Sequence, residues 1–211
     1  RSAVARGQTE RVTILLQQGV DSNDKDAFGK TALMDAARLG LHDIVEILLK
    51  QGANVNVRDD YSDTALLYAV RGEYEKIVSL LVKNGANPNQ ADSAGRTPLI
   101  EAAVRGHPVI VKQLLARKAD LQTRDKGNRT ALMLATKHDH KQIVEMLLAR
   151  GAKHIASSKP IDSIAGKLEK LEKLKQQEPY IGWTSLMIAV WLGEDDLVKF
   201  LLGKGSNLHL Q

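Results

Sequence analysis

TALMDAARLG at residues 31–40, TALLYAVRGE at 64–73, TPLIEAAVRG at 97–106, TALMLATKHD at 130–139 and TSLMIAVWLG at 184–193 are versions of one ten-residue phrase. The first four copies start 33 residues apart, and the fifth starts 54 after the fourth, one 33-residue unit plus 21. Gly7 precedes Gly40 by the same 33 residues, which exposes a further unit whose opening is missing. A fixed period of this length marks a stack of supersecondary units rather than an ordinary compact domain. The units fall at about 1–25, 26–58, 59–91, 92–124, 125–157 and 179–211, with an insertion at about 158–178, and together they account for the whole 211-residue chain as a single domain.

Within a unit the apolar spacing is helical. Leu33, Ala36 and Ala37 are followed by Ile44, Val45, Ile47, Leu48 and Leu49, with polar residues between them, the pattern of two short amphipathic helices. KQGAN at 50–54, KNGAN at 83–87 and GKGSN at 203–207 close the second helix, because glycine accepts the left-handed conformation just past a helix end. VNVRDDYSD and PNQADSAGR then read as connecting loops or short hairpins. Neither helix can bury its apolar face alone, so each unit must stack on its neighbours. The expected fold is an all-α solenoid of six repeats, with a helical insertion between repeats five and six.

Composition agrees with a folded chain. Hydrophobic residues make up 43% and charged residues 26%, too apolar for disorder. No window approaches 18 uninterrupted apolar residues, and RSAVARGQTER at the start has no apolar core of the signal-peptide type, so a soluble chain with no membrane partner is expected. The 30 basic and 25 acidic residues give a formal charge of +5 but are interspersed, which favours a solvated surface over a dedicated anion-binding field. Cysteine is absent, so disulfides, thiolate metal sites and a cysteine nucleophile are excluded. Cytoplasm and bacterial periplasm fit equally. The shortened first repeat points to residues upstream, a cleaved export signal among the readings.

T-[APS]-L opening each first helix, the alanine pair, the I-V-x-x-L-L run and the G-A-N or G-A-D turn resemble the ankyrin repeat family, over essentially the whole chain apart from the insertion. Departures exist. The family's frequent His after T-P-L is replaced by Met34, Leu67, Ile100, Met133 and Met187, which removes the usual polar link to the Thr. Lys118 stands where the other turns have Gly19, Gly52, Gly85, Gly151 and Gly205. If the left-handed geometry is kept there, a non-glycine costs about 1 kcal/mol.

The resemblance implies a curved stack that holds a partner protein on its concave face, lined by loop tips and first helices. By repeat position this face takes Phe28 and Lys30, Tyr61, Arg96, Arg129, Tyr180 and Trp183 from the tips, and Arg38, Arg71, Arg105, Lys137 and Trp191 from the helices. Aromatics are only 4% of the chain, yet five of them map here, and interface anchors are enriched in Trp, Tyr and Arg. The competing reading is that Tyr180 and Trp183 pack against the insertion. In the insertion SSKP, with Ser157 or Ser158 as cap and Pro160 in the first turn, opens a helix that closes at Pro179. Ile161, Ile164, Leu168 and Leu171 make one face apolar, and Glu169 with Lys173 forms an i to i+4 pair. That face, with Leu168 and Leu171 as contacts, either meets the partner or folds back on the repeats.

Catalytic patterns are missing. GKT at 29–31 lacks the upstream glycine of a phosphate loop, since Asp24 stands there, and His138 with His140 is two ligands short of a zinc site. Acid pairs such as Asp59 with Asp60 and Asp195 with Asp196 belong to a loop tip and a helix start. The expected protein is therefore a non-enzymatic binder without cofactor or metal, monomeric alone. It would act as an adaptor or, in the alternative, as a stoichiometric inhibitor or immunity protein capping an enzyme. A third reading, nucleic-acid binding through Lys30, Arg38, Arg71, Arg96, Arg105, Lys126, Arg129 and Lys137, is weakened by the interrupting Asp35, Asp60, Asp63 and Glu101.

Overall fold

Each ten-residue phrase begins a helix, and one threonine explains where. In the computed structural model, which describes residues 1–152, 164–177 and 180–203, Thr31, Thr64, Thr97, Thr130 and Thr184 are extended N-caps. Their hydroxyls accept the N–H three residues on, at 3.2–3.4 Å. A cap of this kind satisfies a donor the helix would otherwise leave open and contributes about 1 kcal/mol. Where the family's His is replaced by Met34 and Met187, the methionine sulfur accepts the cap residue's own N–H at 3.5 Å, a weaker contact in the same place.

The helices come in antiparallel pairs: α1 (Ser2–Ala5) with α2 (Thr9–Gln17), α3 (Ala32–Arg38) with α4 (His42–Lys50), α5 (Ala65–Arg71) with α6 (Glu75–Lys83). Then follow α7 (Pro98–Arg105) with α8 (Pro108–Ala116), α9 (Ala131–Lys137) with α10 (Lys141–Ala149), the single α11 (Ile164–Leu174), and α12 (Ser185–Leu192) with α13 (Asp195–Gly203). First helices stack as α3, α5, α7, α9 and α12, and second helices as α4, α6, α8 and α10. The core runs the length of the stack in columns set by the period. Val45, Val78, Val111, Val144 and Val198 are buried one above another, as are Leu48, Leu81, Leu114 and Leu147. Ala36, Ala37, Ala69, Ala102, Ala103 and Ala135 are buried on the first helices, where a small side chain lets neighbouring backbones approach.

The expected hairpins are turns. Among the described residues no strand forms, and the connecting segments are held by side chains instead. Asn23, Asn56 and Asn89 accept the backbone N–H of Asn54, Asn87 and Asp120 in the following pair, at 2.7–2.8 Å. Each unit is thereby tied to the next at a fixed register.

Lys118 keeps the glycine geometry, with φ of 59° beside 79° at Gly52 and 86° at Gly85. No atom lies within 4 Å of a Cβ built at Gly19, Gly52, Gly85 or Gly151, so the cost at Lys118 is backbone strain, not a clash. Lys118→Gly is expected to stabilise by about 0.5–1 kcal/mol, the left-handed penalty less the extra freedom glycine gains when unfolded. A thermal melt measures this, and an unchanged or lower midpoint would refute it.

The insertion differs from both halves of its expectation. Ser157, Ser158, Pro160, Ile161 and Pro179 lie outside the described residues, as do the Gly205 turn and residues 204–211. The described helix α11 packs on α12 and α13. Leu171 is 1% exposed and Leu168 is half-buried against the core, so the face offered to a partner in the sequence reading is occupied by the chain itself. Lys167 pairs with Glu194 at 2.6 Å, and Ser185 donates to Glu172 at 2.9 Å. These contacts pin the two ends of α11 to opposite ends of α12. The Glu169–Lys173 pair forms on the outer side, at 2.8 Å.

Candidate partner-binding surface

The loop tips are built on an aspartate that recurs with the period. Asp26, Asp59 and Asp92 each accept the backbone N–H groups two and four residues on, at 2.8–3.0 Å. Asp125 accepts from Arg129 in the same way. Folding the carboxylate under the turn lifts the residue at its apex outward. Adjacent tips are joined by backbone bonds, from Asp60 N–H to Phe28 O, Ser93 N–H to Tyr61 O and Lys126 N–H to Ala94 O, at 2.9–3.1 Å. The tips therefore form a continuous ribbon. This aspartate went unnoticed in the sequence reading, although its 33-residue recurrence was there to see.

Phe28, Tyr61 and Ile181 occupy one apex position and are 57%, 56% and 59% exposed, among the most exposed large apolar residues of the chain. Ala94 and Gly127 hold the same position between them. Next to this row, Arg38 and Lys137 are exposed at the ends of α3 and α9. Lys30 lies over the ring of Tyr68, 5.4 Å from its centroid. Tyr68 in turn donates to Asp59 at 2.7 Å. Burial, then that bond, pushes its phenol well above the ordinary range.

The three C-terminal aromatics form one cluster. Trp183 meets Tyr180 and Trp191 edge-on, with centroids 5.7 and 5.5 Å apart, and all three pack against the core. Lys137 sits 5.7 Å from the Trp183 centroid. The sequence reading took these rings as free anchors. They are half-buried, and their mutual packing supplies part of the contact between α9 and the last helix pair.

The arginines also need correction. Arg71 reaches Asp63 at 2.7 Å, Asp92 at 2.6 Å and Glu101 at 3.4 Å. Arg96 and Arg105 each lie 3.2 Å from Glu101. Three cations thus face three carboxylates, and this stretch of the face is neutral. Burial depresses the Arg71 guanidinium, but Asp63, Glu101 and Asp92 outweigh it and raise its pKa. Burial raises the Asp63 carboxyl, and Arg71 only partly offsets this. Arg129 grips Asp125 through two nitrogens, at 2.9 and 2.7 Å. Burial pulls Asp125 upward, yet Arg129 holds it below the ordinary value. Arg71, Arg96, Arg105 and Arg129 are thus committed to internal pairs, which disfavours the basic run proposed for nucleic acid.

Among the described residues no group of three or more His, Cys, Asp or Glu is placed to hold a metal. His138 and His140 stack at 6.1 Å, and the Nε2 of His140 is 3.0 Å from the Val104 carbonyl in the preceding pair, a structural role. No helix among the described residues is long and apolar enough to cross a membrane. The most closely lined cleft, about 200 Å³, lies at the first helix pair beneath Val12, Leu16 and Val20 and brings no catalytic constellation together.

No curated protein matches this sequence. The family model for ankyrin repeats in three copies matches residues 2–92 and 66–158, and that for a single ankyrin repeat matches 181–211. Members of this family typically serve as non-enzymatic protein-interaction modules. Capped helix pairs at a 33-residue period, stacked on a continuous core and matched by that family over most of their length, leave one conclusion: the chain belongs to the ankyrin repeat family.

Proposed function

We propose that this chain is a six-repeat module, monomeric alone, that holds a partner protein on the surface made by its loop tips and first helices, the concave side of an ankyrin stack. The observation that carries this reading is the pair Phe28 and Tyr61. Both are more than half exposed, both sit at the apex of tips joined through backbone, and the Asp26 and Asp59 carboxylates fix those tips from beneath. Rigid, exposed aromatics on a preformed backbone lose little entropy on binding, which is what an anchor requires.

The test is capture of partners from host lysate by the immobilised chain, followed by affinity measurement with Phe28→Ala/Tyr61→Ala. Affinity is expected to fall at least about tenfold, with folding unchanged because neither ring is in the core. Equal affinity in both forms would overturn the assignment of the tip face. If the captured partner is an enzyme whose activity falls in proportion to the chain added, the module acts as a stoichiometric inhibitor or immunity protein. Otherwise it is an adaptor.

A further inference from the structure

The charge along the tip face is uneven. In the middle of the stack Arg71, Arg96 and Arg105 are balanced by Asp63, Asp92 and Glu101. Towards the first repeats, exposed Asp24 and Asp60 stand at the tips. Around α9 the balance is different. Lys126 and Lys137 are exposed, Lys137 lies over the Trp183 ring, and Asp125 is already held by Arg129. Glu101 offers one charge to three arginines, so Arg96 retains part of its own.

We propose that the surface around Arg96, Arg129, Lys137 and His138, beside Trp183 and Trp191, docks an acidic segment of the partner protein, a run of Asp and Glu carrying an apolar side chain for the indoles. This rests on the reading of the tip face as the partner-binding surface and names the chemistry of its C-terminal part.

The local field supports the choice of an anion. His138 is depressed below its ordinary value by burial, then by His140, Lys137, Arg96 and Arg129. Every charged neighbour acting on it is basic, so a carboxylate brought there gains attraction from several directions. The indoles supply the second element. Trp183 and Trp191 meet at 90° and remain partly exposed, leaving an edge against which a Leu or Tyr of the partner can pack.

An acidic protein segment fits better than a nucleic acid. The basic surface spans only the tips and helices of neighbouring repeats, about 8–10 Å between helix axes. A phosphate backbone continuing along the face would next meet the buried carboxylates of Asp92, Glu101 and Asp63 and the exposed Asp60. A polyanion binds by neutralising many phosphates in succession, and this surface offers no succession.

The experiment measures fluorescence anisotropy of three labelled probes at low salt: a short peptide alternating Glu with Leu and Tyr, its Gln-for-Glu counterpart, and an oligothymidylate of similar length. Tryptophan emission reports whether a probe reaches Trp183 and Trp191. The Glu peptide is expected to bind, to perturb that emission, and to weaken with salt. Its affinity should fall about tenfold in Lys137→Glu and stay unchanged in Lys83→Glu, which reverses an exposed charge on α6. Equal binding of the Gln peptide, no effect of Lys137→Glu, tighter binding of the oligonucleotide, or no binding of the Glu peptide would each overturn the proposal. If Phe28→Ala/Tyr61→Ala loses its captured partner while Lys137→Glu keeps it, the protein-binding reading stands and the acidic dock falls. If Lys137→Glu weakens the peptide but Phe28→Ala/Tyr61→Ala keeps its partner, the aromatic-tip reading falls alone.

Discussion

Arg71→Ala is expected to destabilise the fold by about 3 kcal/mol at neutral pH, more than any other surface substitution on the tip face. The guanidinium bridges Asp63, Asp92 and Glu101, whose side chains are 10%, 8% and 5% exposed. Removing it leaves those carboxylates with little water and too few cations. Breaking a fully buried ion pair costs about 3–5 kcal/mol, and the 26% exposure of Arg71 places this network at the lower end.

The pH dependence of that loss has a definite sign. Asp63 already has a folded-state pKa above its unfolded value of 3.8, through burial. The folded form therefore binds the proton more tightly, and ionising Asp63 removes stability as pH rises through the interval between the two values. Without Arg71 the only strong force lowering that pKa is gone, so the interval widens. Urea unfolding at neutral pH and at pH near 4 should show a smaller difference between Arg71→Ala and wild type in acid. Equal stability at neutral pH, or a penalty that grows in acid, would refute the buried network as described. Arg71→Lys should recover only part of the loss, because one ammonium cannot span carboxylates on two adjacent tips and on α7.

Leu171→Ala is expected to cost about 3 kcal/mol, confined to the C-terminal end of the stack. The side chain is 1% exposed, and truncating a buried leucine costs about 2–5 kcal/mol from lost burial and the cavity left behind. In a solenoid each unit touches only its neighbours, so the loss does not spread evenly. Hydrogen exchange should accelerate in α11, α12 and α13 while α3 to α8 keep their protection. If exchange rises uniformly along the chain, α11 is not the local cover of α12 and α13 described above. The Lys167–Glu194 and Ser185–Glu172 contacts limit how far α11 detaches.

Much of the fold was legible because a repeat writes its contacts many times. Val45 predicts the environment of Val78, Val111 and Val144, since each occupies the same place in a translated unit and all are buried. The five threonine caps follow for the same reason. The candidate surface was legible in part. Phe28 and Tyr61 were found from register alone and are exposed. Arg71, Arg96 and Arg105 were placed on the right side of their helices, but their partners come from neighbouring repeats. Asp63 was seen as an interruption of a basic run, whereas it is held by Arg71 as an ion-pair partner.

The sequence by itself determined the period, the helix pairs, the capping threonines, the glycine-like turn at Lys118 and the absence of any cysteine chemistry. All of these rest on local spacing or composition, which the chain carries without being folded. The tertiary structure alone decided which way the apolar face of α11 turns, how Tyr180, Trp183 and Trp191 pack together, and which basic residues remain available at the tip face. Those features occur once, not at every repeat. They depend on distances between residues far apart in the chain, and no periodicity encodes such distances.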